Sequence, residues 1–366
     1  MDAHERYMKR ALELAKLGWG RTNPNPLVGA VIVKNGEIIA EGYHKALGQD
    51  HAEVDAIKNA KQDVRGGTMY VNLEPCSHYG RTPPCVKAVI EAGIREVAVA
   101  MADPNPKVGG RGIKELREAG VSVIDGILEN EAKKLNEIFI KYITRKTPFV
   151  IMKAAMSADG KTATFCGDSK WISGERSREY VHKIRDRVSA VMVGINTALS
   201  DNPMLTTRLK EGKGKDCTRI IVDSAGKLPI TSNVVNVESP AGVILAATPG
   251  IDEAKERSLT ERGVRVIKTQ DSKGLVDLRA LMDELYKLEI DSILLEGGGT
   301  LNASALDAEI VDKVMLFIAP MIIGGKDAKT PVEGVGAKYV GNAVRLKNVN
   351  IEWFDGDILY EAYIDN

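Results

Sequence analysis

Cysteine is scarce in this chain of 366 residues: there are four, Cys76, Cys85, Cys166 and Cys217. So few in so long a chain exclude a disulfide scaffold. Aromatic residues make up only 5%, and neither sign of charge is in surplus, since 50 basic side chains stand against 50 acidic ones. That balance argues against a broad nucleic-acid surface, while leaving room for a local basic pocket around one phosphate. Long apolar runs are missing as well. The longest, VMLFIAPMIIGG, is about half of what a bilayer crossing needs. The N-terminal MDAHERYMKRALELAK is charged throughout and lacks the apolar core of a signal peptide. A cytoplasmic protein with reduced thiols, no nucleic-acid partner and no membrane association is expected.

What the chain does have is length enough for two or three domains, with 44% hydrophobic and 27% charged residues, the balance of a globular protein. Residues 4 to 18 carry apolar side chains at helical spacing (Tyr7, Met8, Ala11, Leu12, Leu14, Ala15) up to Gly18. GAVIVKNGEIIAEG predicts two strands joined at Asn35-Gly36, the strongest short hairpin signal. A helix from His51 to Lys61, a strand TMYVNLE and a helix from Pro84 to Ala92, stopped by Gly93, follow. A strand EVAVAM, a helix IKELREAG, a strand VSVID and a helix over 129–143 complete a layered α/β domain at 1–145. The polar TRKTP marks the boundary, because Pro148 disfavours helix in the residue before it. Over 146–366 a second α/β series runs through FVIMKAAM, SAVMVG, RIIVD, GVILAA, VRVIK and SILLEG. It closes on VMLFIAP and a hairpin turning at Asp355-Gly356. KEGKGKD at 210–216 reads as an exposed loop, and no internal repeat is evident.

Two of the four cysteines stand in LEPCSHYGRTPPC, Leu73 to Cys85, downstream of DHAEVDA. His51, Cys76 and Cys85 are three soft or borderline ligands, a set that suits zinc. Three protein ligands leave a fourth position open, as in catalytic rather than structural sites. Zinc so held lowers the pKa of a water to roughly 7. Glu53, in His-x-Glu spacing with His51, would take that proton and return it to a leaving amine. Pro83 and Pro84 preset a helix start that puts Cys85 in the first turn, where the helix N-terminus favours thiolate. His51 opens its own helix in the same way. The generic signature of nucleobase deaminases, Pro-Cys-x-x-Cys, is met only in part, since Cys76 and Cys85 are farther apart than that pattern allows. On spacing alone two other readings stand: core residues, or a structural zinc closed by His78.

TNPNPLVGAVIV (22–33), HAE (51–53) and EPCSHYGRTPPC (74–85) resemble the N-terminal half of the bifunctional riboflavin biosynthesis family, whose deaminase loop has this longer cysteine spacing. KAAMSADGKTA (153–163), GDSKWIS (167–173), VGINTALSDNPMLTTR (193–208) and EGGGTL (296–301) resemble its reductase half. The resemblance thus spans the chain in the family's order. It implies a cytidine-deaminase-like three-layer α/β/α domain followed by a dihydrofolate-reductase-like α/β domain. It also implies a zinc-dependent diaminohydroxyphosphoribosylaminopyrimidine deaminase and an NADPH-dependent 5-amino-6-(5-phosphoribosylamino)uracil reductase. Zn2+ and NADPH would be the cofactors, phosphorylated pyrimidines the substrates, and a dimer or tetramer the assembly. Carried over by position, Asn23, His78, Thr82, Asp103 and Asn105 would contact the first substrate. Ala155, Trp171, Thr197, Asp201 and the run Gly298, Gly299, Thr300, Leu301, Asn302, Ala303 and Ser304 would line the cofactor site. Ser169, Arg185, Leu205, Arg208 and Glu296 would hold the second substrate.

The residue types fit parts of that assignment. LLEGGGTLNASAL (294–306) reads as strand, glycine-rich turn and helix, able to turn backbone N–H groups onto a phosphate. It is not Gly-x-Gly-x-x-Gly, so a standard Rossmann site is not expected. Arg185 and Arg208 offer guanidinium forks for a phosphate, with Ser169 as a further donor. Without the resemblance, Arg185 in the charged VHKIRDR reads as solvated and Trp171 reads as core. Asn23 and Asn105 precede prolines and, taken alone, read as turn residues. Cys166 and Cys217 are expected to be free thiols. Two rivals are a nucleoside or tRNA deaminase with a fused accessory domain, against which the balanced charge weighs, and a zinc-stabilised binding module without turnover.

Overall fold

Asn35 and Gly36 both take positive φ, 53° and 80°, and so turn β1 (Gly29–Lys34) directly into β2 (Glu37–Tyr43). The computed structural model describes residues 2–79, 83–105, 108–212 and 214–365, and the chain divides into two units, Met1–Lys146 and Thr147–Asn366. In the first, β3 (Thr68–Leu73), β4 (Glu96–Met101) and β5 (Ser122–Asp125) extend the hairpin into a five-stranded sheet of order β2-β1-β3-β4-β5. β1 is antiparallel to both its neighbours, while β3, β4 and β5 run parallel. Val31, Ile32, Met69, Val71, Val97 and Val99 are all buried, as strands covered on both faces require.

The covering helices are α1 (Ala3–Ala15), α2 (Ala52–Lys58), α3 (Cys85–Glu91), α4 (Arg111–Glu118), α5 (Glu129–Leu135) and α6 (Glu137–Arg145). α1 packs with α5 against the sheet, and α2, α3 and α4 pack in succession. Two sequence expectations need correction. The single helix over 129–143 is two helices, because Asn136 leaves helical geometry (φ −103°, ψ 19°) and bridges the backbone of Leu27. Leu27 N–H donates to Asn136 Oδ1 at 2.8 Å, and Asn136 Nδ2 donates to the Leu27 carbonyl at 3.0 Å. The helix expected to reach Lys61 stops at Lys58. There Asn59 ends it and donates its side-chain amide to the Glu41 carbonyl at 3.3 Å.

In the second unit the strands are β6 (Phe149–Ser157), β7 (Ala190–Gly194), β8 (Thr218–Val222), β9 (Val243–Ala247), β10 (Val264–Lys268), β11 (Ser292–Leu295), β12 (Lys313–Ala319), β13 (Leu346–Phe354) and β14 (Asp357–Ile364). The helices are α7 (Glu175–Arg187), α8 (Ile195–Asp201), α9 (Asn233–Asn236), α10 (Glu253–Thr260), α11 (Leu278–Lys287) and α12 (Gly299–Asp307). The sheet order is β10-β9-β8-β7-β11-β6-β12-β14-β13. From β10 to β12 neighbouring strands are parallel, and the β13–β14 hairpin closes the sheet in antiparallel fashion. A parallel sheet of this kind leaves its ligand crevice beyond the carboxyl ends of the strands. Among the described residues no helix is long and apolar enough to cross a membrane.

Candidate active sites

His51 holds the N-cap of α2 in extended backbone (φ −72°, ψ 159°), and α3 begins at Cys85 directly after Pro84. The two helices pack against each other, so their first residues converge. His51 Nδ1 lies 3.2 Å from Cys85 Sγ and 3.5 Å from Cys76 Sγ, and the three ligand atoms all fall within 4.8 Å of one another. Those separations match the edge of a tetrahedron, roughly 3.5 Å, around a zinc ion with bonds of about 2.0–2.3 Å. The donor set fits zinc. Among the described residues no fourth His, Cys, Asp or Glu joins the group, and His78 is exposed outside it.

Cys85 also aims its backbone N–H at Cys76 Sγ, 3.4 Å away, the contact by which a helix start favours thiolate. A hydrogen bond from the Cys85 thiol pulls the Cys76 thiol well below its usual range against the cost of burial, and His51 adds to the pull. Cys85, the deeper of the two, is pushed up by the same pairing and by burial. One thiolate is thus ready before metal arrives, and a metal would displace the second proton.

Glu53 is buried beside these ligands without being one of them. Burial, then the neighbouring Cys76, push its carboxyl up to about 7, while His51 draws it back. A carboxyl that gains and loses a proton near neutrality is suited to acid–base relay. His44 links the surrounding turns to the cluster. Its Nε2 lies 3.2 Å from Asn25 Nδ2, its Nδ1 lies 3.0 Å from the Asp50 carbonyl, and its ring meets that of His51 edge-on at 5.4 Å. The turn carrying Asn23 is thereby tied to the metal ligands.

Asn105 donates its N–H to Asp103 Oδ1 at 2.8 Å, which folds the second asparagine of the set into a tight turn. Burial pushes the Asp103 carboxyl up, with His78 and Cys76 near enough to act on it. Thr82 lies outside the described residues. Glu74, absent from the sequence expectations, organises this region. Its Oε2 accepts the N–H groups of Asp103 and Gly110, both at 2.9 Å, and its Oε1 accepts that of Ile113 at 3.1 Å. Glu74 immediately precedes Pro75-Cys76, so one buried carboxylate fixes both the cysteine loop and the Asp103 turn. Gly112 makes the approach possible, since a Cβ there would stand 2.0 Å from the Pro75 carbonyl oxygen.

In the second unit a cavity of about 820 Å³ opens between β6, α7, α8 and the turn after β11. Of the expected cofactor residues, Ala155, Trp171, Thr197, Asp201, Gly298, Gly299 and Thr300 line it; of the expected substrate residues, Ser169, Arg185, Arg208 and Glu296 do. Leu205, Leu301, Asn302, Ala303 and Ser304 are not in its wall; Leu205 and Leu301 are buried. A Cβ on Gly299 would meet Glu333 Cγ at 2.5 Å, so only glycine lets the turn lie so close to that segment. Beneath it, the fully buried Asn302 donates Nδ2 to the Pro331 carbonyl at 2.8 Å while its Oδ1 has no partner. The glycine cradle at a helix start suits the phosphates of a nucleotide cofactor.

Trp171 is 68% exposed, with the Arg178 guanidinium 4.7 Å from its ring centre, so the core reading fails for it. The solvated reading fails for Arg185, whose side chain is only 11% exposed. Its Nε donates to Glu296 Oε1 at 2.6 Å and its Nη1 to the Thr206 carbonyl at 3.0 Å. Lys153 Nζ lies 4.0 Å from the other Glu296 oxygen. Burial works to raise Glu296, yet Arg185 and Lys153 hold it below the usual carboxylate range. Burial also pushes the Lys153 ammonium down. Lys153 and His182 line the cavity too, and neither was among the expected residues. Cys166 and Cys217 are free thiols.

Comparison with known proteins matches both halves. Residues 1–101 fit the cytidine and deoxycytidylate deaminase zinc-binding region, and residues 148–360 fit the RibD C-terminal domain. The riboflavin biosynthesis protein RibD of Actinobacillus pleuropneumoniae is 48% identical, covering 98% of this chain and 94% of that protein. RibD of Escherichia coli K12 is 38% identical, covering 97% of each. Among solved structures, the diaminohydroxyphosphoribosylaminopyrimidine deaminase/5-amino-6-(5-phosphoribosylamino)uracil reductase of Thermotoga maritima is 41% identical, with a TM-score of 0.87 over 99% of both chains. RibD of Acinetobacter baumannii is 36% identical, with a TM-score of 0.88 over 100% of this chain and 99% of that one. The two folds are therefore cytidine-deaminase-like and dihydrofolate-reductase-like, as the resemblance implied, and no accessory-domain reading is favoured. Alike over nearly its whole length to proteins that carry both activities, this chain belongs to the RibD family of bifunctional riboflavin biosynthesis enzymes, a zinc-binding deaminase domain followed by a reductase domain.

Proposed function

We propose that residues 1–146 hydrolytically deaminate 2,5-diamino-6-(5-phosphoribosylamino)pyrimidin-4(3H)-one, and that residues 147–366 then reduce the ribosyl group of 5-amino-6-(5-phosphoribosylamino)uracil to ribityl with NADPH. The observation that carries this reading is the convergence of His51, Cys76 and Cys85 with Glu53 beside them but outside the ligand set. Zinc, when bound, supplies Lewis-acid activation of water near neutral pH. Glu53 takes a proton from the water as its oxygen bonds to the ring carbon, and delivers that proton to the exocyclic nitrogen as the bond from that carbon to the amino group breaks and ammonia leaves. Asp103, Asn105, Asn23 and His78 are assigned to hold the pyrimidine and its phosphoribosyl arm. The buried Glu74 keeps the Asp103 turn in register with the cysteine loop.

In the second site NADPH, when bound, supplies the hydride. The Gly298–Gly299 turn at the start of α12 is assigned to its phosphates, with Thr197 and Trp171 beside it. Arg208 and Ser169 are assigned to the substrate phosphate. Arg185, through its ion pair, sets the position of Glu296 against the sugar. Reduction of the open-chain carbonyl adds a hydride to carbon and a proton to oxygen. Lys153, like Arg185, is a largely buried cation of the cavity wall, and burial weakens its hold on a proton, so it is assigned as the donor to that oxygen. Arg208→Ala is expected to raise the reductase KM roughly tenfold or more without altering ammonia release. An equal fall in both half-reactions would instead point to a folding defect.

The same reading places the enzyme in the cytoplasm, where thiol ligands stay reduced, and as a dimer or tetramer. Its support is β13, an edge strand that leaves Leu346, Val349, Ile351 and Trp353 exposed; such edges are templates for pairing with another chain. Sedimentation velocity should find two or four chains together, and a monomer at micromolar concentration would remove the assembly from the proposal.

A further inference from the structure

We propose that His182 is a specificity-determining residue of the reductase site, presenting its Nε2–H to the phosphate of the substrate beside Arg208. The inference rests on the reading of this cavity as a phosphate-bearing substrate site. Within α7, His182 stands three residues before Arg185 on the same helix face, and both line the cavity with Ser169 and Arg208. The Arg208 backbone N–H donates to His182 Nδ1 at 3.2 Å. An imidazole that accepts at Nδ1 carries its proton, when neutral, on Nε2. The chain therefore fixes the tautomer and leaves the ring a donor on its other side, which suits an anion and excludes a metal.

The surrounding charges agree. Lys153, Arg185 and Arg208 act on the ring with positive charge. Glu296, which acts on it with negative charge, is paired with Arg185, and Glu179, three residues before His182 on α7 and also in the cavity wall, is paired with Lys210. Burial first, then Arg185 and Arg208, push the ring down to about 4, so at neutral pH it is an uncharged N–H donor. The donor count leaves room for it. Arg185 commits Nε to Glu296 and Nη1 to the Thr206 carbonyl, and Arg208 shares Nη1 with Thr206 Oγ1 at 3.0 Å. A phosphate monoester offers three strong acceptor oxygens, each able to take more than one hydrogen bond, so a neutral ring N–H adds to the N–H groups these two guanidinium groups keep free of protein partners. The same backbone that carries the Arg208 guanidinium thus also orients His182.

The test uses the full-length enzyme with NADPH and compares kcat/KM for the deaminated phosphoribosyl substrate with that for its 5′-dephosphorylated counterpart. His182→Ala is expected to lower the preference for the phosphorylated substrate roughly tenfold or more, chiefly through KM. His182→Gln, which restores a donor near the Nε2 position, should stay within about threefold of the parent. An unchanged preference in His182→Ala, or a loss in His182→Gln as large as in the alanine variant, overturns the assignment. Arg208→Ala run in parallel separates the two levels of failure. If it lowers the preference while His182→Ala does not, His182 alone is excluded; if neither lowers it, the phosphate does not bind at this end of the cavity and the underlying reading fails as well.

Discussion

Glu53→Gln is expected to suppress ammonia release by on the order of 10³-fold, to leave zinc bound, and to leave reduction of already deaminated substrate intact. Glutamine keeps the shape of the side chain but cannot cycle a proton. Glu53 stands outside the ligand set of His51, Cys76 and Cys85, so its loss should not release metal. The reductase cavity is formed by residues of the other unit, all beyond position 150, so that half serves as an internal control for folding. Three readouts on one preparation decide the matter: zinc per chain, ammonia from the diamino substrate, and NADPH oxidation with the deaminated one. Substantial deamination by the variant would remove Glu53 from its role. Loss of zinc would move it into the ligand set instead.

Arg185→Met should destabilise the reductase unit by about 3–5 kcal/mol, the cost of leaving one member of a buried ion pair without its partner. Arg185 and Glu296 are 11% and 12% exposed and 2.6 Å apart. Removing the guanidinium leaves Glu296 with Lys153, at 4.0 Å, as its remaining ion-pair partner among the described residues. The double variant Arg185→Met, Glu296→Met should recover much of the loss, because a buried pair replaced by apolar residues of similar volume is often neutral. Urea unfolding followed by tryptophan fluorescence reads this out, since two of the three tryptophans, Trp171 and Trp353, belong to this unit.

The pH dependence has a definite sign. Glu296 is held below its usual range in the folded chain, so its contribution is fully present above the ordinary carboxylate value of about 4.3. It is lost as pH falls through the depressed folded value. The gap between parent and Arg185→Met should therefore narrow in acid. A gap that widens there, or a double variant no better than the single one, would mean that the pair is not what holds α7 to the turn after β11.

The parts of the structure that were legible in the sequence are those fixed locally. Asn35-Gly36 announced its turn because both residues tolerate the positive φ that they adopt. His51 and Cys85 could be placed at helix starts, and their meeting follows from α2 and α3 lying side by side. What escaped was set by contacts between distant residues. Nothing near Asn136 signals that its amide will bridge Leu27 and split a helix that is otherwise continuous in pattern. Arg185 looked solvated because its partner lies on another element, 111 positions along the chain. Glu74 was visible only as a neighbour of Pro75-Cys76, and its three backbone donors come from the loop before α4 and that helix's first turn, some thirty to forty positions away. His182 gave no local sign either, since its tautomer depends on a backbone N–H 26 positions on.

The metal centre itself is tested most directly by X-ray absorption at the zinc edge of the zinc-loaded full-length protein. Two sulfur neighbours near 2.3 Å and one imidazole nitrogen near 2.0 Å, at roughly the distances usual for zinc, are expected, with no fourth protein side chain. A second imidazole, a third sulfur, or a protein that retains no zinc would contradict a catalytic centre built on His51, Cys76 and Cys85, and the assignment of deamination to this site would fall with it.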